Sequence, residues 1–267
     1  MENAHPPRLV RGESPLLISV PHAGTAVPPP IFVRLSSAAS GLPDTDWFVD
    51  RLYDWAPAFG AGMIVAPLSR YVIDLNRPPD DQPLYNARET RLVTGLVPTK
   101  TFAGEAVYQR GSEPTAQEVR DRVAKYWDPY HRCLAEELEH VRKRHGHAVL
   151  LDAHSIVGRL PLLFEGQLPD LNLGSNGGRS AAPQLCAAAL AVLRGGDYSV
   201  AFDGRFKGGH ITRHYGNPYG GVHALQLEMA QSAYMQELPP LWTQNRAEAI
   251  QAVLRELVRT LMDWKPR

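Results

Sequence analysis

The chain has 267 residues, and its 28 basic and 28 acidic side chains give a formal net charge of zero at pH 7. Nucleic-acid binding needs a concentration of Lys and Arg that this chain lacks, so we predict no nucleic-acid partner. No apolar stretch reaches the ~18 residues that span a membrane, and residues 1–10 carry no apolar signal segment. The two cysteines both lie on helical patterns, where structural thiols of a reducing compartment are the simplest interpretation. Together these features predict a soluble protein of the cytoplasm.

The first predicted element is a buried strand that ends at a histidine. Residues 16–25 begin with an almost wholly apolar run, which stops at Pro21 and is followed by His22 and a Gly-Thr pair. A short apolar run bounded by turn residues is typical of a strand in a parallel sheet. Ligands in open α/β sheets bind just beyond the carboxyl ends of such strands. His22 is therefore a candidate functional residue, although a structural histidine is the simpler interpretation of one such residue alone.

An acidic cluster follows in the next predicted helix. Residues 44–55 place apolar side chains at helical spacing, with Asp44, Asp46 and Asp50 among them. Asp46 and Asp50 are four residues apart, so on a helix they share one face. Acidic residues in a first turn also complement the helix dipole, which is the ordinary explanation for Asp44 or Asp46.

Strands and helices alternate along the rest of the chain. Strands are predicted at residues 63–66 and 71–74, and the polar segment that follows, up to Gly111, is predicted as an ordered functional loop or a small hairpin. A capping box at residues 115–118 begins a long helix, which Pro129 bends and Gly146 ends. The later elements are strands at 148–152, 160–164, 170–173, 198–202 and 224–229 and helices at 181–193 and 247–261. This alternation predicts an α/β fold, a three-layer sandwich with a mixed, largely parallel central sheet, in one domain over residues 1–267.

A second histidine follows a buried strand. His154 comes two residues after Asp152, which ends the apolar run 148–152. Neutral imidazole is the commonest metal ligand, and a catalytic zinc often takes two histidines and one carboxylate. The pair of strand-end histidines therefore predicts a metal site, with the carboxylate from the cluster at residues 44–50. Asp152 is predicted to orient an imidazole.

Glu228 is the candidate base. It lies within the apolar run of residues 224–229, where a lone carboxylate is unusual. A buried acid needs a partner or changes its pKa, and either suits a group that moves protons. The alternative is an edge strand on which Gln226 and Glu228 face water, and the pattern alone does not separate the two.

Several arginines lie close to these motifs. Arg70 and Arg77 flank a predicted strand, and Arg213 lies with His210 in a glycine-rich loop at residues 208–216. Guanidinium groups bind carboxylates through two parallel hydrogen bonds and can stabilise an oxyanion. The density of His, Arg and Tyr between the glycines favours a ligand-binding loop over a flexible surface turn.

Five segments carry a resemblance to a known family. They are residues 19–25 (SVPHAGT), 45–47 (TDW), 69–77 (SRYVIDLNR), 152–155 (DAHS) and 206–213 (FKGGHITR). In their order and spacing they resemble the N-formylglutamate amidohydrolase (N-formylglutamate deformylase) family of histidine catabolism, over residues 15–235. The resemblance implies a fold similar to zinc carboxypeptidases, with one metal at the strand ends. In carboxypeptidases a His-x-x-Glu motif binds the metal, whereas His22 is followed by Ala-Gly-Thr, so the third ligand comes from elsewhere.

The resemblance implies one divalent metal ion bound by His22, Asp46 and His154. Zinc suits such a ligand set, although Mn, Fe or Co also bind at sites of this kind. Asp50 is the alternative to Asp46.

The implied activity is the metal-dependent hydrolysis of N-formyl-L-glutamate to L-glutamate and formate. Glu228 is expected to take the proton of the attacking water, and Arg70 or Arg213 to support the oxyanion. The expected substrate-binding residues are Asn76, Arg77, His210 and Arg213. The rival interpretations are a related hydrolase for another N-acyl amino acid or peptide, an inactive ligand-binding homologue, and an α/β domain without a metal. The sequence does not predict the oligomeric state.

Overall fold

The computed structural model describes residues 5–84 and 94–266. The strands in these residues are β1 (Arg8–Val10), β2 (Leu16–Val20), β3 (Gly62–Val65), β4 (Ala148–Ile156), β5 (Leu171–Gly174), β6 (Val200–Phe202), β7 (Val222–Ala230), β8 (Met235–Gln236) and β9 (Leu241–Trp242). The α-helices are α1 (Pro29–Phe32), α2 (Val49–Leu52), α3 (Ala116–Arg122), α4 (Asp128–His145), α5 (Pro183–Leu193), α6 (His210–Tyr215) and α7 (Gln244–Asp263). Within the described ranges, no helix is both long and apolar enough to cross a bilayer.

Seven of the strands form one mixed sheet in the order β1-β3-β2-β4-β7-β5-β6. The four central strands β3, β2, β4 and β7 run parallel to one another. Strand β1 pairs antiparallel with β3, and β5 pairs antiparallel with β7 and parallel with β6. The predicted α/β fold with a mixed, largely parallel sheet is therefore confirmed. Parallel central strands carry their carboxyl ends to one edge of the sheet, where the candidate ligands lie.

Helices cover both faces of this sheet. On β4, Val149 and Leu151 point into a core shared with α5 and α7, whereas Ala148 and Leu150 point into a core shared with α4. Because successive side chains of a strand face opposite ways, burial on both sides explains why this strand reads as a continuous apolar run. Asp152 follows in the alternation of Ala148 and Leu150, so its side chain lies on the α4 face.

The long predicted helix is confirmed, with an irregularity at its centre. Thr115 caps α3 by accepting a hydrogen bond from the backbone N–H of Glu118, and Gly146 ends α4 with a φ of 77°. Between α3 and α4, residues Val123–Trp127 form a π-helical turn just before Pro129. A proline inside a helix removes one backbone hydrogen bond, and a π turn is a common way to accommodate the resulting irregularity.

The prediction of a strand at residues 71–74 is wrong. This apolar run is buried, but it forms turns in which the N–H of Val72 donates to Ser69 O over 2.9 Å. The buried guanidinium of Arg122 donates to the carbonyls of Tyr71 and Val72, over 3.4 and 2.9 Å. Because a side chain satisfies these carbonyls, the segment is buried without joining the sheet.

Three further predictions differ from the structure. The helix predicted at residues 44–55 shrinks to α2, because Phe48 has a φ of 63° and separates the acidic turn from the helix. Residues 160–164, predicted as a strand, form a turn, and the glycine-rich loop at 208–216 contains the short helix α6. The polar segment before Gly111 lies partly outside the described residues, and its described part contains isolated bridges such as Lys100 with Ala106.

Candidate metal centre and active-site cavity

The parallel strands β2, β4 and β7 align the candidate residues in register. Ser19 of β2 lies opposite Asp152 of β4, and His154 of β4 lies opposite Glu228 of β7. Residues two apart on a strand face the same way, so these side chains share the α4 face of the sheet. His22 follows β2 at the same edge. The register therefore brings together pairs of residues that are 133 and 74 positions apart in sequence.

His22, Asp46 and His154 form a buried group that could hold a metal ion. One potential ligand atom from each residue lies within 4.8 Å of the others. The three residues are 3%, 1% and 2% exposed, and the two imidazole centroids are 5.0 Å apart. The backbone N–H of Asp46 donates to the carbonyl of His22 over 3.1 Å, which holds the acidic turn against the strand end.

Both imidazoles are oriented by a second carboxylate. His22 Nε2 is 2.8 Å from Asp74 Oδ1, and His154 Nε2 is 2.9 Å from Asp152 Oδ2. A neutral imidazole that donates its Nε2 hydrogen in this way presents the lone pair of Nδ1 to a metal. The Nδ1 atoms of His22 and His154 lie 3.9 and 2.9 Å from Asp46 Oδ2. The chemistry and orientation of this donor set therefore fit one divalent cation.

Asp152 plays the orienting part that the sequence predicted for it. Asp74 was missed as an orienting residue, because it was assigned to a strand that the structure replaces with turns. A carboxylate directly after the apolar run 71–73 was the available signal. Behind Asp152, Ser19 donates to Asp152 Oδ1 over 3.0 Å, and the Ser19 hydroxyl is 2.9 Å from that of Tyr130. Hydrogen bonds thus run from α4 through β2 to the His154 ring.

Asp50, the alternative third ligand, lies apart from this group. It is half-buried on α2, whereas Asp46 lies in the turn before Phe48. Asp50 is not among the three residues whose ligand atoms converge. The expectation that Asp46 and Asp50 share a helix face is wrong, because the helix begins only at Val49.

Arg70 lies beside the three candidate ligands. Its Nη2 is 2.6 Å from Asp46 Oδ1 and 2.7 Å from His22 Nδ1, and its Nη1 is 3.6 Å from Asp74 Oδ2. Burial raises the pKa of Asp46, but the Arg70 guanidinium and both imidazoles outweigh it and bring this pKa down to about 2. The carboxylate is therefore ionised throughout the physiological range and is ready to bind a cation.

The two imidazoles differ in their protonation. Burial lowers the pKa of His22, and the nearby Arg70 cation lowers it further. Burial also acts to lower the pKa of His154, but Asp152 and Asp46 outweigh it and raise that pKa well above its usual value. The proton on His154 must leave before a metal binds there, because a ligating imidazole is neutral.

Glu228 lies on the central strand β7, which excludes the edge-strand interpretation. Glu228 is 7% exposed, and Gln226 Nε2 donates a hydrogen bond to Glu228 Oε2 over 3.1 Å. Burial raises the pKa of Glu228 to about 8, although His154 acts to lower it. Gln226 is oriented in turn by the backbone N–H of Gly209, which donates to Gln226 Oε1 over 2.7 Å. Glu228 is thus a buried carboxyl group held at the cavity wall, with a pKa suited to exchanging protons.

Asn76 connects three segments of the site. Its Nδ2 is 3.1 Å from Asp152 Oδ2 and 2.9 Å from His154 Nε2, and its Oδ1 accepts from the N–H of Ile211 over 2.8 Å. Gly209 packs directly on this amide, since a Cβ there would lie 2.4 Å from Asn76 Nδ2. The amide expected to bind a substrate carboxylate is therefore engaged by the protein itself.

A cavity of about 230 Å³ opens onto these residues. The described part of its polar lining includes two of the candidate metal ligands, Glu228 and three arginines. Its apolar lining comes mainly from loops that the sequence analysis did not connect to the site. The lining residues that were not predicted from the sequence include Asp74, Phe102, Ser155, Leu163, Arg205, Phe206 and Gln226.

The structure separates the predicted substrate-binding residues into two groups. Arg77 lines the cavity, and its guanidinium donates to the carbonyl and hydroxyl oxygens of Thr94. In the part of the chain that the structure describes, His210 and Arg213 do not line the cavity. The His210 ring lies against Trp127, 5.7 Å between centroids, and Arg213 Nε donates to the carbonyl of Gly208.

This chain is similar to proteins described as N-formylglutamate amidohydrolases or deformylases. A family model described as N-formylglutamate amidohydrolase matches residues 14–235. An N-formylglutamate deformylase of Pseudomonas aeruginosa is 49% identical over 256 residues, which cover 95% of this chain and 95% of that protein. An N-formylglutamate deformylase of Pseudomonas putida is 45% identical over 256 residues, covering 95% of this chain and 94% of that protein.

Solved structures resemble the fold over almost its whole length. The crystal structure of N-formylglutamate amidohydrolase from Ralstonia eutropha JMP134 superimposes with a TM-score of 0.82 at 28% identity, covering 96% of each chain. A gene product of Agrobacterium tumefaciens superimposes with a TM-score of 0.70 at 18% identity, covering 97% of this chain and 95% of the other. At that identity the second likeness concerns the fold alone.

Proposed function

Since the chain belongs to the N-formylglutamate amidohydrolase family, we propose that it hydrolyses N-formyl-L-glutamate to L-glutamate and formate in a metal-dependent reaction. The carrying observation is the buried group of His22, Asp46 and His154, in which two oriented imidazoles converge on one ionised carboxylate. We propose these three residues as the metal ligands. A divalent cation held there, most simply zinc, would polarise the formyl carbonyl and acidify the attacking water.

Glu228 is our candidate for the proton transfers. The water oxygen attacks the formyl carbon, and Glu228 accepts the proton that the water loses. Glu228 then gives that proton to the amide nitrogen as the C–N bond breaks, so that glutamate leaves with a neutral amine and the formyl group leaves as formic acid. The formic acid then loses its remaining proton, which the amine or the solvent takes up, and becomes formate. The support for this role is its position in the cavity wall, opposite His154 in the sheet register, and the hydrogen bond that orients it from Gln226.

Arg70 and Arg77 are our candidates for binding negative charge. Arg70 lines the cavity beside His22, so we assign to it, rather than to Arg213, the stabilisation of the developing oxyanion. Arg77 also lines the cavity and follows Asn76, whose amide lies against the His154 ring. We assign to Arg77 the α-carboxylate, which is the carboxylate nearest to the reacting amide.

We also propose that the reaction serves histidine degradation in the cytoplasm. The family resemblance implies this pathway. The two cysteines, Cys133 and Cys186, are both free thiols, which fits a reducing compartment.

The decisive experiment measures formate release from N-formyl-L-glutamate by the purified protein, with and without a chelator, together with elemental analysis of the same sample. We expect about one divalent metal per chain, activity that the chelator abolishes, and recovery when metal is added back. Formate release that is insensitive to the chelator in a metal-free sample would refute the metal-dependent mechanism. Equal or faster cleavage of N-acetyl-L-glutamate would move the substrate to another N-acyl amino acid.

A further inference from the structure

The described lining of the cavity contains an arginine to which the proposed function gives no role. Among the residues that the structure describes, three arginines line the cavity: Arg70, Arg77 and Arg205. Arg70 is held by Asp46 and Asp74, so its charge is already balanced by the protein. The proposed substrate carries two carboxylates, and Arg77 can bind only one of them. Of the described arginines in the cavity lining, Arg205 is therefore the one whose function has not been assigned.

Arg205 is held in a defined orientation at the cavity wall. It lies in the segment between β6 and α6, and its Nε donates to the carbonyl of Leu163 over 2.7 Å. Its guanidinium lies over the Phe206 ring, 5.5 Å from the centroid. The Phe206 and Phe164 rings pack in a T-shaped arrangement with their centroids 6.1 Å apart. A guanidinium held through Nε and by an aromatic face loses little further freedom when it binds a planar anion.

The wall next to Arg205 is apolar. Leu163 and Phe206 line the cavity there together with Ile156, and they belong to a small apolar cluster beneath the loops. An apolar surface that leads to an oriented guanidinium matches a short methylene chain that ends in a carboxylate. The side chain of glutamate has this form, with two methylene groups before the γ-carboxylate.

We propose that Arg205 binds the side-chain carboxylate of the N-formyl amino acid and makes the site selective for dicarboxylic substrates. This inference rests on the proposed function and adds a specificity-determining residue to it. The α-carboxylate is bonded to the carbon next to the reacting amide, so it belongs with Arg77, whose neighbour Asn76 contacts His154. The γ-carboxylate lies farther from the reacting bond, on the side of the apolar wall and Arg205.

The test compares two substrates that differ in one group. N-formyl-L-glutamine has the shape of N-formyl-L-glutamate, but a neutral amide replaces the γ-carboxylate. We expect Arg205→Met to lower kcat/KM for N-formyl-L-glutamate by roughly 10- to 100-fold, the range of a lost hydrogen bond to a charged group. The kcat/KM for N-formyl-L-glutamine should change by less than about threefold. Arg205→Lys, which keeps the charge without the fork, should give an intermediate ratio.

Arg159→Met is the matched control. Arg159 is exposed and, like Arg205, uses its Nε to donate to a single oxygen, that of Gln167. Both substrates should be hydrolysed by this variant at the rates of the unmodified protein. Metal content and melting temperature are measured for every variant. If Arg205→Met does not fold, Arg205→Gln replaces it, and the same ratio of kcat/KM for the two substrates is measured.

The outcomes separate this inference from the proposed function. If the Arg205 variants lose kcat/KM equally for both substrates, or lose it for neither, the ratio of the two kcat/KM values is unchanged. That result would overturn the assignment of Arg205 while leaving the deformylase activity in place. Absence of formate release by the unmodified protein would instead overturn the proposed function, and this inference with it.

Discussion

Replacing Asn76 distinguishes two possible roles of its side-chain amide, binding a substrate carboxylate or holding the residues around His154 in place. As a substrate clamp, the residue should affect mainly KM. In the structure the amide contacts Asp152, His154 and the N–H of Ile211, so its loss should instead disturb the metal centre. We expect Asn76→Ala to lower kcat and metal content, with little effect on KM once metal is saturating.

The size of the effect follows from the hydrogen bonds that the substitution removes. The Ile211 N–H is left without its partner at a cost of about 1–3 kcal/mol, and the bond to the Asp152 carboxylate contributes about 1.5–3 kcal/mol. Since such terms are not additive, we take about 3 kcal/mol, which lowers the melting temperature of a chain of this size by roughly 6–12 °C. Removing a group that orients a ligating histidine typically weakens metal binding about 10- to 100-fold.

The assay combines steady-state formate release, elemental analysis and thermal unfolding. Asn172→Ala is the control, because Asn172 is also buried and its Nδ2 donates to the carbonyls of Pro169 and Glu228, over 2.7 and 3.1 Å. Its side chain makes no such contact with either histidine, so this variant should lose stability but keep its metal. A KM increase of tenfold or more in Asn76→Ala, with kcat, metal content and melting temperature unchanged, would refute our interpretation.

Three further predictions concern the ligand set, the base and a buried histidine. Asp46→Ala should lose stoichiometric metal and formate release, whereas Asp50→Ala should retain both; metal retained in the first and lost in the second would move the ligand to Asp50. Glu228→Gln should lower kcat by about 10²- to 10⁴-fold with metal content unchanged, and near-normal turnover would exclude Glu228 as the base. Burial lowers the pKa of His131 to about 3 from an ordinary value of 6.5, so the unfolded chain binds the extra proton between these values. Stability should therefore be lost as pH falls below 6.5, by up to about 1.4 kcal/mol per pH unit from this residue. In urea unfolding between pH 6 and 4, the free energy of unfolding of His131→Gln should fall less steeply with falling pH than that of the unmodified protein. Equal slopes for the two proteins would contradict the lowered pKa of His131.

The sequence was sufficient for the elements whose burial is local and regular. Strands β2 and β4 were predicted because strands covered by helices on both faces read as short apolar runs. The two histidines after these runs were found for the same reason, since parallel strands carry their ends to one edge of the sheet. The family motifs then indicated Asp46, although spacing alone left Asp50 open.

The tertiary structure decided which distant groups meet. Spacing placed Asp46 and Asp50 on one helix, but the positive φ of Phe48 leaves only Asp46 beside His22. The apolar run at residues 71–74 was predicted as a strand, and the buried Arg122 that satisfies its carbonyls is some fifty residues away in sequence. Local periodicity contains no information about a partner at that distance.

The same limit explains the substrate side of the site. Arg213 and His210 of α6 have the residue types of a ligand loop, yet neither is among the described residues that line the cavity. Arg205, a few residues earlier in an inconspicuous segment, lines the cavity beside Phe206. Residue type and strand pattern were enough to identify His22 and His154 as candidate ligands from the sequence alone. The choice of carboxylate, the orientation of each imidazole and the arginines that line the cavity depend on long-range packing, which only the folded chain specifies.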